Sequence, residues 1–175
     1  MKKNPAAEPI YPADKIMGLA DAIDWRERLR RQGKRLAVTN GCFDILHRGH
    51  VDYLHRARLA ADALLVLINA DASVRELKGP TRPVNDEYAR AFVLAGLAAV
   101  DATVIFAGER CTAELRALEP DVYVKGGDYT IETLNEEERQ ALLDGGSEFC
   151  FIPFVEGYST TQTIARMRQD DGVME

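Results

Sequence analysis

The chain has 175 residues, of which 46% are hydrophobic and 29% charged, and its formal net charge is −6. This length suits one well-buried domain and is too short for two ordinary ones. The acidic balance argues against general binding of DNA or RNA, which needs a basic face, but it allows a small anionic substrate. Because the three cysteines (Cys42, Cys111 and Cys150) are widely spaced, we expect neither a disulfide framework nor a zinc site. A reducing compartment fits such thiols, so we expect a cytoplasmic location.

The amino-terminal part of the chain predicts a tail and then a helix. Residues 1–12 contain three prolines and predict a mobile tail. Residues 13–33 predict an N-terminal helix that Gly33 ends, residues 34–169 form the main domain, and residues 170–175 form a second tail. No apolar run resembles a secretory signal or a membrane span, so no membrane partner is expected.

From residue 36 onwards, apolar strands alternate with helices. Ala63–Ile68 is continuously apolar, which is typical of a strand covered on both faces. The alternation predicts an α/β fold, with a Rossmann-like parallel five-stranded sheet flanked by helices and ligands at the carboxyl ends of the strands. The predicted strands are 36–39, 63–68, 102–106, 121–124 and 148–152, and the predicted helices are 49–61, 87–99, 112–118, 134–143 and 160–167.

The most informative stretch is 40–50, where the first of these strands gives way to a helix. His47 and His50 bracket Gly49 there. Backbone N–H groups and the dipole at a helix start favour an anion, glycine lets the backbone approach a phosphate, and imidazoles donate hydrogen bonds to phosphate oxygens. Neither the GxxxxGK[ST] nor the GxGxxG nucleotide motif is present, so these residues predict another kind of nucleotide phosphate site.

Two other interpretations of the histidines are weaker. Helix capping explains one histidine but not a pair around a glycine. A metal site would use Cys42 or Asp44 as additional ligands, yet no further ligand has suitable spacing.

Further polar residues follow the later strands. Asn69 and Asp71 end the second strand, where a helix N-cap is the competing explanation for Asp71. Lys78 is predicted in a loop bounded by glycine and proline, from which it could reach a phosphate. The hydroxyl cluster Ser159, Thr160 and Thr161 opens the last helix, and hydroxyls at a helix start suit a β- or γ-phosphate.

The motif Gly41-Cys42-Phe43-Asp44…His47-Arg48-Gly49-His50 resembles the HxGH signature of the cytidylyltransferase-like nucleotidyltransferases. The stretches 66–74, 77–84, 124–129 and 158–161 further resemble the D-glycero-D-manno-heptose 1-phosphate adenylyltransferases, over about residues 36–168. Those enzymes occur alone or fused behind a heptose kinase. No kinase portion is present in this sequence, so the resemblance predicts the stand-alone form.

The resemblance also implies roles for individual residues. Asp44 could orient a histidine, orient the acceptor hydroxyls or help to hold Mg²⁺, and the sequence leaves these alternatives open. The predicted catalytic residues are His47, His50 and Lys78; the predicted nucleotide contacts are Asn40, Gly41, Cys42, Phe43, Gly49, Arg90, Lys125, Gly126, Gly127, Asp128, Ser159, Thr160 and Thr161; and the predicted acceptor contacts are Asp44, Asn69 and Asp71.

The implied reaction transfers an adenylyl group from ATP to heptose 1-phosphate, giving pyrophosphate and ADP-heptose for lipopolysaccharide synthesis. Mg²⁺ is expected on the phosphates, with no protein ligand assigned to it. The partners are then ATP and a sugar phosphate, and a homodimer stays open because relatives often dimerise. An acceptor phosphate is already anionic at pH 7, so the enzyme needs no strong general base.

Two alternative functions remain. One is a CTP-dependent glycerol- or polyol-phosphate cytidylyltransferase, but such enzymes commonly have Arg-Thr before the hydroxyl cluster, where this chain has Glu156-Gly157-Tyr158. The other is a non-catalytic nucleotide-binding protein, against which the histidine pair, Lys78 and the hydroxyl cluster count.

Overall fold

The structure, a computed structural model, describes residues 10–153, 155, 157, 158, 160, 163 and 164. Its centre is a parallel sheet with strand order β1-β4-β3-β2-β5-β6. The strands are β1 (Ile16–Met17), β2 (Leu36–Gly41), β3 (Ala63–Asn69), β4 (Ala102–Phe106), β5 (Val122–Gly126) and β6 (Glu148–Ile152).

Helices cover both faces of the sheet. Strand residues alternate between the faces, so two separate apolar cores form. One core packs the sheet against α1, α5 and α6, and the other packs it against α2 and α4. The helices are α1 (Leu19–Arg31), α2 (Arg48–Leu59), α3 (Asp71–Lys78), α4 (Glu87–Ala95), α5 (Thr112–Leu118) and α6 (Glu136–Asp144), with 3₁₀ turns at Pro12–Lys15 and Ile131–Thr133.

The prediction of one helix over residues 13–33 is wrong in its first part. Ile16–Met17 pairs with Thr103 and Val104 of β4 and forms an edge strand, so the sheet has six strands rather than the predicted five. A two-residue apolar run fits either a helix or a strand, and here pairing with β4 decides. Gly33, at φ +67°, follows the end of α1 as predicted.

The remaining elements differ from the prediction mainly at their ends. The helix α3 was not predicted, and Lys78 is its last residue rather than part of a loop. The helix α4 ends at Ala95, before Gly96, and not at residue 99. Most of the predicted tails and of the predicted helix 160–167 lies outside the described residues. Within the predicted 1–12 tail, Tyr11 packs edge-on against Phe92, with ring centroids 5.6 Å apart.

The order of the strands determines where a ligand crevice opens. From β2 the chain proceeds to β3 and β4 on one side, and it then returns to the other side of β2 for β5 and β6. In open parallel sheets, ligands bind at the carboxyl ends of the strands where the order reverses, which here lies between β2 and β5. No helix in the described part of the chain is long and apolar enough to cross a membrane.

Candidate nucleotide site

The two histidines of the HxGH motif (the histidine pair, His47 and His50) stack on each other at the start of α2. Their ring centroids are 3.8 Å apart and their planes differ by 18°. The ring of Phe43 contacts His50 edge-on, at a centroid distance of 5.2 Å. His47 is the N-cap residue of α2, and His50 lies in its first turn. The pair therefore lies at the end of β2, where the strand order reverses.

Gly49 allows this stacking. A Cβ atom at this position would lie 3.1 Å from His47 Nδ1 and 3.3 Å from Tyr158 Cβ, which is closer than ordinary van der Waals contact. Any side chain at position 49 would push the His47 imidazole or Tyr158 away. The glycine between the histidines thus keeps the ring of His47 close to the helix backbone.

Both histidines are neutral at pH 7 in the protein alone. Burial, together with the neighbouring His47, lowers the pKa of His50 to about 4, although a hydrogen bond with the Ile45 backbone opposes this shift. Burial also lowers the pKa of His47. Its buried Nδ1 atom has no hydrogen-bond partner among the described residues. An anion beside these rings would favour protonation, because an opposite charge raises the pKa of an imidazole.

The start of α2 is itself suited to an anion. No side chain of the described residues caps it, its first turn contains no acidic residue, and Arg48 adds a positive charge. Arg48 Nη1 donates a hydrogen bond to the Tyr158 hydroxyl at 3.4 Å, and the Thr160 hydroxyl donates to the Ile45 carbonyl at 3.4 Å. Thr160, a member of the predicted hydroxyl cluster, therefore lies beside the segment that joins β2 to His47. Ser159 and Thr161 lie outside the described residues.

The turn between β2 and the histidines is tightly built. Phe43 has φ +46°, a left-handed conformation that is rare outside glycine and frequent at functional sites. A Cβ atom on Gly41 would lie 2.9 Å from Phe43 Cε2. Gly41 therefore makes room for the ring that contacts His50. This packing explains why Gly41 and Phe43, two of the predicted site residues, occupy these positions, independently of any contact with a nucleotide.

Asp44 holds the segment before α4. Its side chain is 1% exposed. Arg82 Nε donates to Asp44 Oδ2 at 2.6 Å, and the backbone N–H groups of Val84 and Asn85 donate to Oδ1 at 2.8 and 3.1 Å. The Asn85 side chain also donates to the Asp44 carbonyl at 2.8 Å. Both carboxylate oxygens are thus occupied by residues 82–85, and neither orients a histidine.

Arg90 joins the ends of β2 and β3, and its side chain is fully buried. Its guanidinium donates to the carbonyl oxygens of Cys42 at 2.6 Å and Asn69 at 2.8 Å. It also forms an ion pair with Asp71 at 2.8 Å and donates to the Asn85 carbonyl at 3.1 Å. These contacts fix the ends of β2 and β3 relative to each other, so Arg90 supports the predicted nucleotide site from the β3 side.

The predicted acceptor residues Asn69 and Asp71 lie at the end of β3 and the start of α3. Asn69 Nδ2 donates to Ser73 Oγ at 2.9 Å and to the Glu109 carbonyl at 3.4 Å. The Asp71 N–H group donates to Glu87 Oε2 at 2.7 Å. Asn69 thereby connects the crevice to the loop that follows β4.

A second polar group lies at the ends of β2 and β5. Asn40 Oδ1 accepts hydrogen bonds from Lys125 Nζ and from the Tyr123 hydroxyl, each at 2.8 Å. Burial lowers the pKa of Lys125, and the nearby carboxylate of Glu138 opposes this shift. The structure thus brings Asn40 and Lys125 together, although the sequence separates them by 85 positions.

Comparison with known proteins identifies the family. The family model described as cytidylyltransferase-like matches residues 38–166. This chain belongs to the cytidylyltransferase-like family. The family predicted from the HxGH motif is therefore confirmed. The match begins within β2 and includes the whole stretch 40–50.

Curated proteins similar to this chain are larger than it. The bifunctional protein HldE of Rhodospirillum rubrum is 48% identical over 153 residues, which are 87% of this chain and 30% of that protein. The bifunctional protein HldE of Koribacter versatilis is 48% identical over 160 residues, which are 90% of this chain and 32% of that protein. The chain thus spans about a third of the length of these relatives.

A solved structure shares the fold. The crystal structure of the lipopolysaccharide core biosynthesis protein from Thermoplasma volcanium matches with a TM-score of 0.58 and 26% identity, and it covers 73% of this chain and 100% of that chain. The likeness agrees with the α/β architecture predicted from the sequence.

The other predicted residues lie at or after the ends of α3 and β5. Lys78 is exposed at the end of α3, near enough to Cys42 for its charge to oppose the rise that burial causes in the pKa of that thiol. Gly126 ends β5. Gly127, at φ +108°, donates its N–H to the Ile152 carbonyl at 2.9 Å, and Asp128 is exposed.

Several residues of the site escaped the sequence analysis. Arg82 and Asn85 donate hydrogen bonds to Asp44. They follow helix α3, which was not predicted, so the sequence did not indicate that they approach Asp44. Tyr123 lies within an apolar strand, and its hydroxyl role depends on pairing of β5 with β2. Glu138 is one of three consecutive glutamates at the start of α6, yet it alone of the three is buried. The helical period could have shown that one of them faces inward, but not what it contacts.

Proposed function

We propose that this chain is an adenylyltransferase that joins the phosphate of heptose 1-phosphate to the α-phosphorus of ATP, with release of pyrophosphate. The observation that carries the proposal is the stacked, uncharged histidine pair at the uncapped start of α2, where the strand order reverses. The sequence resemblance to heptose 1-phosphate adenylyltransferases supplies the acceptor. The similarity to the bifunctional HldE proteins supports it, since such adenylyltransferases also occur fused to a kinase.

The proposed chemistry needs positioning and charge stabilisation rather than a nucleophilic side chain. The acceptor phosphate attacks the α-phosphorus in line, and pyrophosphate leaves. His47 and His50 donate hydrogen bonds to the phosphate oxygens and gain positive charge as the triphosphate binds. Lys78, the start of α2 and the hydroxyls at 159–161 complete the proposed phosphate contacts.

The described residues do not build a metal cage of their own. Among them no group of three His, Cys, Asp or Glu side chains could hold a metal ion. The carboxylate oxygens of Asp44, the acidic residue within the motif 41–50, are occupied by residues 82–85. We therefore propose that Mg²⁺ arrives on the ATP phosphates and reduces their charge.

A screen of nucleotides against acceptors tests the proposed function. ATP, CTP and GTP would each be combined with heptose 1-phosphate, mannose 1-phosphate and glycerol 3-phosphate, and release of pyrophosphate measured. We expect the highest kcat/KM for ATP with heptose 1-phosphate. Preference for CTP and glycerol 3-phosphate would replace the proposal with a cytidylyltransferase. Tight ATP binding without turnover on any acceptor would instead indicate a non-catalytic nucleotide-binding protein.

Two further properties follow from this proposal. We infer a cytoplasmic location, because ATP is found there and because Cys42, Cys111 and Cys150 are free thiols. A homodimer stays a prediction from the resemblance, and sedimentation equilibrium at several protein concentrations would test it.

A further inference from the structure

Tyr158 is a large aromatic residue that the apolar cores do not account for. One core lies on the face of the sheet that α2 and α4 cover (the α2 face), and the other lies on the face that α1, α5 and α6 cover (the α6 face). Within the described part of the chain, neither core includes Tyr158, which is 40% exposed. The residue directly precedes the hydroxyl cluster. Its contacts, rather than core packing, therefore explain a tyrosine at this position.

The ring of Tyr158 packs against the start of α2. The guanidinium carbon of Arg48 lies 5.6 Å from the ring centroid, within the range of a cation–π contact, and Arg48 Nη1 donates to the Tyr158 hydroxyl at 3.4 Å. The His47 ring is 6.3 Å away, centroid to centroid, and the two planes differ by 30°. Tyr158 thus contacts two consecutive residues of the HxGH motif with one ring.

The backbone also comes close to α2 at this point. A Cβ atom on Gly49 would lie 3.3 Å from Tyr158 Cβ, so the glycine lets the helix and Tyr158 approach each other. Two residues further along, the Thr160 hydroxyl donates to the Ile45 carbonyl at 3.4 Å. The chain is therefore held at two points, before and within the hydroxyl cluster, against residues 45–49.

This placement bears on the leaving group of the proposed reaction. In adenylyl transfer the bond from the α-phosphorus to the bridging oxygen breaks, and the electron pair stays with the departing pyrophosphate. Donors that are fixed in advance stabilise such developing charge more strongly than donors that must first be ordered. Hydroxyl and N–H groups held beside the uncapped start of α2 are donors of this kind.

We propose that Tyr158 is a positioning residue for the transfer step, which holds the hydroxyl cluster beside the histidine pair through its contacts with Arg48 and His47. This inference rests on the proposed function, in which the hydroxyl cluster contacts the phosphates. It goes further, because it assigns a role to an exposed residue that belongs neither to the HxGH motif nor to the cluster. Tyr158 acts through the groups that it holds and does not itself contact the substrate.

The test compares Tyr158→Ala with Tyr158→Phe, which keeps the ring and loses only the hydroxyl. In Tyr158→Ala we expect kcat with ATP and heptose 1-phosphate to fall about fivefold, and the inhibition constant of pyrophosphate to rise by a similar factor. Tyr158→Phe should stay within about twofold of the wild type. Tyr88→Ala is the matched control, since Tyr88 is an exposed tyrosine on α4. Circular dichroism and thermal unfolding would establish that the variants are folded.

Inhibition by AMP separates positioning from a general loosening of the site. AMP lacks the phosphates that leave, so its inhibition constant should stay within about twofold of the wild-type value in Tyr158→Ala. Equal weakening of AMP and pyrophosphate would overturn the inference, as would unchanged kcat and pyrophosphate inhibition. Failure of Tyr158→Phe to restore kcat would show that the ring contacts are not responsible.

Failure of the proposed function is distinguishable. If the wild type releases no pyrophosphate with any acceptor, calorimetric titration with pyrophosphate and Mg²⁺ still tests the role of Tyr158. Binding that Tyr158→Ala weakens and Tyr158→Phe restores would support the inference. Equal binding by all three proteins, or no binding by the wild type, would overturn it.

Discussion

The two faces of the sheet edge present opposite kinds of electrostatics. On the α2 face the histidine pair is uncharged, because burial lowers both imidazole pKa values. On the α6 face Glu138 is held by Cys111, and Lys125 by Asn40 and Tyr123, so the charged groups have fixed positions before a ligand arrives.

This difference indicates that the two faces have different functions. Groups that become charged only beside a phosphate suit the transfer step, since their interaction strengthens when the anion is present. Groups that are fixed in advance suit recognition, because the hydrogen-bonding pattern of a ligand is read by geometry. Variants on the α2 face should therefore alter kcat, and variants on the α6 face should alter substrate KM.

The largest effect is expected from His50→Ala. Removal of one donor that stabilises developing charge costs about 10²–10³ in turnover, and we expect kcat with ATP and heptose 1-phosphate to fall by that factor. His55→Ala is the matched control, because His55 lies on the same helix and is exposed. Near-wild-type turnover in folded His50→Ala would remove the histidine pair from the proposed chemistry.

The next effect concerns stability on the α2 face. In Asp44→Asn the amide replaces a buried carboxylate that accepts from Arg82, Val84 and Asn85. We expect the free energy of unfolding to fall by about 2–3 kcal/mol, because Arg82 loses its charged partner and the N–H groups lose a charged acceptor. Urea unfolding measures this loss. Asp24→Asn, at an exposed position, should change the free energy by less than about 0.5 kcal/mol, and an equal loss in both variants would contradict the role of Asp44.

The sequence predicted one of these faces better than the other. The α2 face is built from contiguous residues, and its predicted features, a strand, a glycine and two histidines at the start of a helix, lie within 36–50. Local spacing therefore indicated that His47 and His50 would share one pocket. The structure stacks their rings, which spacing alone could not show.

The α6 face could not be predicted in the same way. Glu138, Cys111 and Lys125 come from three separate elements, and only the pairing of β5 with β2 and the docking of α6 bring them together. The edge strand β1 was missed for a similar reason, because its two residues form a strand only by pairing with β4. Long-range contacts of this kind leave no periodic pattern in the sequence.

Gly49→Ala sharpens the comparison without removing a functional group. The added Cβ atom would lie 3.1 Å from His47 Nδ1, so the ring must move. We expect kcat to fall about tenfold, as for a small displacement of a charge-stabilising group, while thermal stability stays equal or rises because alanine favours a helix. Gly18→Ala is the control, since its Cβ atom would meet nothing closer than 3.7 Å. Unchanged kcat in Gly49→Ala would show that the position of His47 does not limit turnover.

The smallest effect is a pH dependence of stability that originates on the α2 face. The pKa of His50 is lowered from 6.5 to about 4, so the unfolded chain binds this proton more tightly than the folded chain. The free energy of unfolding should therefore fall as the pH drops from 6.5 towards 4, and His50→Gln should lose about 1 kcal/mol less than the wild type between pH 7 and pH 5. Urea unfolding at the two pH values measures the difference, with His55→Gln as the exposed control. Equal losses in the wild type and His50→Gln would mean that the fold does not keep the imidazole neutral. The difference between the two faces, a histidine pair that becomes charged only beside a phosphate and charged groups that have fixed positions, would then no longer hold.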